Sequence, residues 1–233
     1  MECCHDGAAY TRPVSDRWAT FDCYGTLVDW MGGIRSTLAD LWPDADARRL
    51  LHRYHAIEPA VQAREPMRYR RVMAEVLWRI AAAEGISIPD GRADALGESL
   101  PGWPVFGEVP GALRELQSRG WRVAILSNTD ADFLDASMRA IGVEPDERVV
   151  ASEIGSYKPA PAHWETFFAR TGAERARHVH VGASLFHDVE PSARLGLRCV
   201  WVNREGETSD LPRAGELRDL GKLPDLLDRL VPA

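Results

Sequence analysis

Long apolar runs are missing from this 233-residue chain. It has no stretch of about 18 uncharged apolar residues and no charged-then-apolar leader, so neither a membrane span nor a secretory signal is expected. Cysteine is scarce. Cys3, Cys4, Cys23 and Cys199 are too few and too unevenly placed for a disulfide framework, and a reducing cytoplasm is the default compartment. Cys3, Cys4 and His5 are metal-ligand types, but they fall in a polar stretch, residues 1–16, that reads as a disordered or weakly ordered tail. A basic excess is also absent: 28 Lys and Arg face 35 Asp and Glu, a net charge of −7 that argues against a nucleic-acid partner. Arginines do gather between Arg64 and Arg79, yet Glu65 and Glu75 interrupt them, as on a solvated helix face. No internal repeat and no low-complexity segment occurs.

What is present is strand–helix alternation. The runs "WATFDCY" (18–24), "WRVAILSN" (121–128), "RVVAS" (148–152), "HVHVG" (178–182) and "RCVWVN" (198–203) are nearly continuously apolar, as buried parallel strands are. Helical periodicity fills 110–120, 130–142, 161–172 and 187–196, and Gly120, Gly142, Gly172 and Gly196 fall where each helix should stop. Right-handed crossovers then give an α/β fold, a doubly wound parallel sheet. Residues 30–105 break the pattern: they carry helical periods at 45–63 and 67–85 and no convincing strand, and "LPGWPVFGEVPG" (100–111) reads as the return hinge. The expected organisation is a core of 17–29 and 106–233, with a helical cap over the carboxyl ends of the strands. Trp42, Trp78 and Trp103 are candidates for a pocket wall or a dimer face, although core packing is the commoner fate of a tryptophan.

In a parallel sheet the loops leaving the strand ends share one edge. The first loop carries Asp22, Tyr24 and Thr26; the second carries Ser127, Asn128 and Thr129. Lys158 follows the third strand, and "GASLFHD" (182–188) ends in Asp188. Each has a plain alternative: a helix cap for Asp22, a turn for Ser-Asn, a surface kink for Lys-Pro, a first-turn acid for Asp188. Four such coincidences in order are less economical than one site.

On these residues the sequence resembles the haloacid dehalogenase superfamily, through "FDCYGTLVD", "VAILSN", "SYKPAP" and "VGASLFHD", from about residue 17 to Asn203. The resemblance implies a Rossmann-like core with a helical cap inserted after the first strand, and Asp22 as nucleophile. Family phosphatases place a general acid two residues after the nucleophile and hold Mg²⁺ on acids of the fourth loop. Here Tyr24 stands in the first place and Ala183 in the second. A departing halide needs neither proton nor divalent cation, and the D-x-Y-G-T form is similar to that of the L-2-haloacid dehalogenases. The implied reaction is hydrolytic dehalogenation of a small L-2-haloacid through an ester on Asp22, without a cofactor. By the same resemblance Lys158 holds Asp22, and Thr26 hydrogen-bonds near it. Ser127 and Asn128 grip the substrate carboxylate, Tyr24 and Trp164 lie at the substrate, and Asp188 prepares water or orients Lys158. Arg53 is the positional candidate for meeting the halide.

Ala183, Leu185 and Trp164 depart from the dehalogenase pattern, which tends to have Ser, Asn and Tyr there. Two other readings remain: a Mg²⁺-dependent phosphatase with Asp22 and Asp188 as ligands, and a non-catalytic binding protein. A ring-opening hydrolase of a strained cyclic amino acid would use the same residues as the dehalogenase. The expected partner is a small anionic carboxylic acid, with no membrane; pairing into a homodimer is left open.

Overall fold

A computed structural model describes residues 16–64 and 68–233. Cys3, Cys4, His5 and Glu65 lie outside the described residues. Six parallel strands form one sheet: β1 (Trp18–Phe21), β2 (Arg122–Ser127), β3 (Glu147–Val150), β4 (His178–Gly182), β5 (Cys199–Val202) and β6 (Gly215–Leu217), in the order β3-β2-β1-β4-β5-β6. Strand β1 therefore lies between β2 and β4, with Phe21 level with Ile125 and Val181. The chain winds outward in both directions from β1, and its carboxyl end is the switch point at which such sheets open a crevice.

Five strands match the apolar runs: β4 coincides with its run, β1, β2 and β5 are shorter than theirs, and β3 starts one residue early while Ala151 and Ser152 belong to a helix. The first stops at Phe21 because the chain turns after Asp22: Leu27 and Val28 both donate their N–H to the Cys23 carbonyl. Strand β6 has no apolar run to announce it; its three residues are partly exposed at the sheet edge, where one buried face is not required.

Five α-helices lie between β1 and β2, and the first four are α1 (Trp30–Leu41), α2 (Ala47–Gln62), α3 (Tyr69–Glu84) and α4 (Ala95–Ser99). Asp29 caps α1 through the Gly32 N–H, and Asp46 caps α2 through the N–H groups of Arg48 and Arg49. Their apolar stripes pack on one another through Ile34, Leu38, Leu50, Tyr54, Val72, Val76 and Ile80, all buried. Trp42 and Trp103 join that core, whereas Trp78 is 57% exposed. The remaining α-helices are α5 (Val109–Ser118), α6 (Ala131–Ile141), α7 (Ala151–Ile154), α8 (Ala162–Thr171), α9 (Glu190–Arg194) and α10 (Leu223–Leu230), and a π-helical turn over Leu185–Val189 carries Asp188. Gly120, Gly142, Gly172 and Gly196 all take positive φ and end their helices as the spacing required.

The two faces of the sheet differ. Phe21, Val123, Ile125, Val181 and Val202 face the larger cluster, which takes in α5, α6 and α10. Trp18, Leu126 and Val149 face α8, through Trp164 and Phe167. Each fully buried side chain of that size contributes about 1.5–3 kcal/mol. No helix among the described residues is long and apolar enough to cross a membrane.

Candidate active site

The Asp22 N–H donates to the Val181 carbonyl, extending the β1–β4 ladder one residue past the strand. This holds the Asp22 side chain at the sheet edge, 8% exposed. Thr26 Oγ1 donates to Asp22 Oδ2 at 2.9 Å, and its own oxygen accepts the Ala183 N–H at 2.9 Å. One hydroxyl thus joins the first loop to the fourth.

Lys158, 1% exposed, brings the distant loops together. Its Nζ donates to Asp22 Oδ1 at 2.9 Å and to Asp188 Oδ1 at 2.7 Å. The lysine is aimed by Asn128, whose Oδ1 accepts the Lys158 N–H at 2.7 Å while its Nδ2 donates to the Lys158 carbonyl at 2.9 Å. Asp188 also accepts from the Ser184 N–H at 3.1 Å and from His180 Nε2 at 3.2 Å. It lies hard against Gly182, where a Cβ would come within 2.4 Å of the Asp188 carboxyl carbon, so only glycine allows that approach.

Behind the acid runs a buried chain. With His180 donating through Nε2, its Nδ1 accepts from Thr20 Oγ1 at 2.8 Å, and Thr20 accepts from His178 Nε2 at 2.8 Å. Thr20 and His180 are level across the β1–β4 ladder, and His178 lies two residues earlier on the same face. Burial pushes His178 down to about 3, and His180 is lowered too, so both imidazoles are neutral. The two histidines alternating along "HVHVG" were a legible sign of this chain, but periodicity marked that run only as a buried strand.

The electrostatics follow from one cation between two acids. Burial alone would raise both carboxyls. For Asp188 the Lys158 ammonium and the His180 N–H prevail and hold it far below the usual carboxylate range. For Asp22 burial wins, helped by the charge of Asp188, and its carboxyl is raised despite Lys158 and Thr26. Lys158 is desolvated, yet the two carboxylates raise it, so it stays charged.

These groups open into a cleft of about 930 Å³, lined on one side by Asp22, Tyr24, Ser127, Asn128, Lys158 and Asp188. The opposite wall comes from α1, α2 and α3, including Trp30, Arg35, Arg48, His52, His55, Glu58 and Tyr69. Ser127 is buried and its Oγ has no partner among the described residues, which leaves a hydroxyl free to bind a ligand. The Tyr24 hydroxyl is paired with Ser137 Oγ at 2.9 Å.

Two expected residues lie elsewhere. Arg53 does not line the cleft: it pairs with Glu84 of α3, at the solvent. Along a helix each residue turns about 100°, so α2 turns Arg48, Leu51, His52, His55, Glu58, Pro59 and Gln62 to the cleft and Arg53 away from it. Trp164 is in the core behind the sheet, edge-on to His180 at 5.2 Å, not at the substrate. The Asn128 amide is spent on the Lys158 backbone, and Ala183 and Leu185 offer the cleft no polar side chain.

A divalent cation fits this arrangement poorly. The position between Asp22 and Asp188 is filled by the Lys158 ammonium, and Ala183 supplies no side-chain oxygen. Among the described residues no cluster of three or more His, Cys, Asp or Glu is placed to hold a metal.

A family model for haloacid dehalogenase-like hydrolases matches residues 17–196, and the chain belongs to that family of hydrolytic enzymes. It is 27% identical over 210 residues to haloacetate dehalogenase H-2 of Moraxella sp. (strain B), covering 88% of this chain and 90% of that one. Among solved structures, an L-2-haloacid dehalogenase superposes with a TM-score of 0.82 at 20% identity, over 92% of this chain and 99% of the other. The L-2-haloacid dehalogenase of Xanthobacter autotrophicus, solved with chloropropionic acid covalently bound, gives a TM-score of 0.77 at 18% identity, over 91% and 98%.

Proposed function

We propose that the protein hydrolyses the carbon–halogen bond of a small L-2-haloacid, with Asp22 as nucleophile and residues 30–105 acting as a cap over the cleft. The observation that carries this reading is the fate of Tyr24. It stands where a general acid would serve a phosphatase, and its hydroxyl is paired with Ser137, away from proton transfer at Asp22. Lys158 is committed to two carboxylates. A leaving group that departs as a stable anion needs no proton donor.

In the first step an Asp22 oxygen attacks C2 from the side opposite the halogen. A C–O bond forms, the C–X bond breaks with its electron pair leaving on the halide, and C2 is inverted. Lys158 and Thr26 fix the carboxylate in one rotamer, which supplies orientation. Ser127 binds the substrate carboxylate. In the second step water attacks the ester carbonyl carbon and its oxygen stays in the Asp22 carboxylate. One water proton ends on the product hydroxyl and the other is released. Asp188 already accepts three hydrogen bonds, so its part is to hold Lys158. No cofactor enters the reaction, a reading supported by Ala183 and by the lysine between the two acids.

The test is chloride release from L-2-chloropropionate with and without EDTA. We expect release that EDTA does not change and that Asp22→Asn lowers by at least about 10⁴-fold. A single turnover in ¹⁸O-water should leave the label in Asp22 and not in the product. Phosphate release from a monoester, abolished by EDTA and without chloride release, would overturn the reading in favour of the phosphatase.

A further inference from the structure

One carboxyl in the cleft has no part in this chemistry. Glu58, on α2, is 6% exposed and lines the cleft on the wall facing the strand ends. Its Oε1 accepts from Tyr69 Oη at 2.8 Å and from Tyr54 Oη at 3.4 Å, and Tyr69 in turn accepts from Trp30 Nε1 at 2.9 Å. Both hydroxyls are on the same oxygen. Oε2 has no partner among the described residues, and no Lys or Arg of the described residues pairs with the group.

Its surroundings suit a cation. Trp30 and Tyr69 line the cleft beside the carboxyl, and aromatic rings are compatible with a cation there. Pro59, the next residue, lies inside α2 and lines the cleft. It has no N–H to give the His55 carbonyl, which loses its usual helical partner. Arg35, Arg48 and Arg204 also line the cleft, but none of them pairs with Glu58, and Arg204 is held by Glu108. Burial lifts the Glu58 carboxyl to about 7 even with two tyrosines holding it down, as expected of an acid lacking its counter-ion.

We infer that Glu58 is a specificity-determining residue that accepts a protonated amine at the far end of the substrate. The natural substrate is then a zwitterionic 2-substituted acid, its carboxylate at Ser127 and its ammonium on Glu58 Oε2. The substrate end of this statement rests on the proposed function; the amine site itself does not.

The experiment is calorimetric binding, which needs no turnover. The ligands are 3-aminopropionate, 4-aminobutanoate and 5-aminopentanoate, each against the plain acid of the same length, with wild type and Glu58→Gln. For at least one length the amine should tighten binding to wild type by about tenfold or more, as a charge-assisted hydrogen bond would. Glu58→Gln should remove that difference. No amine preference in wild type, no binding of any ligand, or an undiminished preference in Glu58→Gln would each overturn the inference. Should wild type release no chloride from L-2-chloropropionate yet keep the preference, the haloacid reading fails and the amine site stands.

Discussion

Asp22, Lys158 and Asp188 illustrate how little freedom a buried charged site has. Removing one partner of such a cluster costs roughly 3–5 kcal/mol, because the charge left behind is neither paired nor hydrated. The cluster's geometry depends on a residue with no side chain. At Gly182 a Cβ would come within 2.4 Å of the Asp188 carboxyl carbon. Gly182→Ala must therefore push Asp188 away from Lys158 and His180, and Asp22 then loses the lysine's orientation. We expect chloride release to fall by about 10²-fold or more, the usual effect of a 1 Å misplacement. Thermal denaturation should show the variant still folded, and full activity in a folded Gly182→Ala would refute the account.

Among the helices, the same amino acid does opposite things in two places. Gly142 ends α6 at φ +68°, with open space where a Cβ would go. Gly142→Ala should destabilise by about 1–2 kcal/mol, the cost of a left-handed L-residue, with no steric component. Gly111 lies inside α5, outside the positive-φ region, and is equally unobstructed. There Gly→Ala should stabilise by about 0.5–1 kcal/mol through helix propensity. Urea denaturation of the two variants reads both; equal signs would contradict this assignment. Helix α2 makes a related point about direction: Arg53 and His52 differ by one residue, yet one meets Glu84 of α3 and the other the cleft.

Among the described residues of the whole molecule, several histidines are held as neutral rings. Burial pushes His163 and His178 down to about 3 and His187 to about 4. Unfolded histidine titrates near 6.5, so between pH 6.5 and 3 the unfolded chain binds more protons. Stability therefore rises with pH across that window and is lost on acidification, at roughly 1.4 kcal/mol per unit of displacement for each ring. Glu58 runs the other way: its folded carboxyl holds a proton up to about 7, which favours the folded state below that pH. Asp22, also raised by burial, runs the same way as Glu58, while His55 and His180 are lowered along with the other three rings, so five histidines oppose two acids. The urea midpoint should fall steadily from pH 6.5 to 4, and a constant or rising midpoint would contradict the neutral-histidine picture.

Apolar runs, glycine stops and the four strand-end loops were legible in the linear chain because each is a local pattern: a strand's burial, a helix's end and a loop's composition are written in consecutive residues. Asp22, Thr26, Lys158 and Asp188 could be nominated together for that reason, since a parallel sheet delivers successive strand ends to one edge. Strand β6 was not legible, being three half-exposed residues whose strand character comes from pairing with β5. Nor were Glu58 or Gly182, and the two histidines of "HVHVG" were visible without the Thr20 contact that gives them meaning, which joins residues remote in the chain. An acid within a helical period reads as a solvent-facing position until a second and a third helix close over it. Composition and periodicity settled the architecture, but which side of α2 faces the cleft, and which oxygen of Glu58 is left without a partner, depended on packing that links residues tens of positions apart.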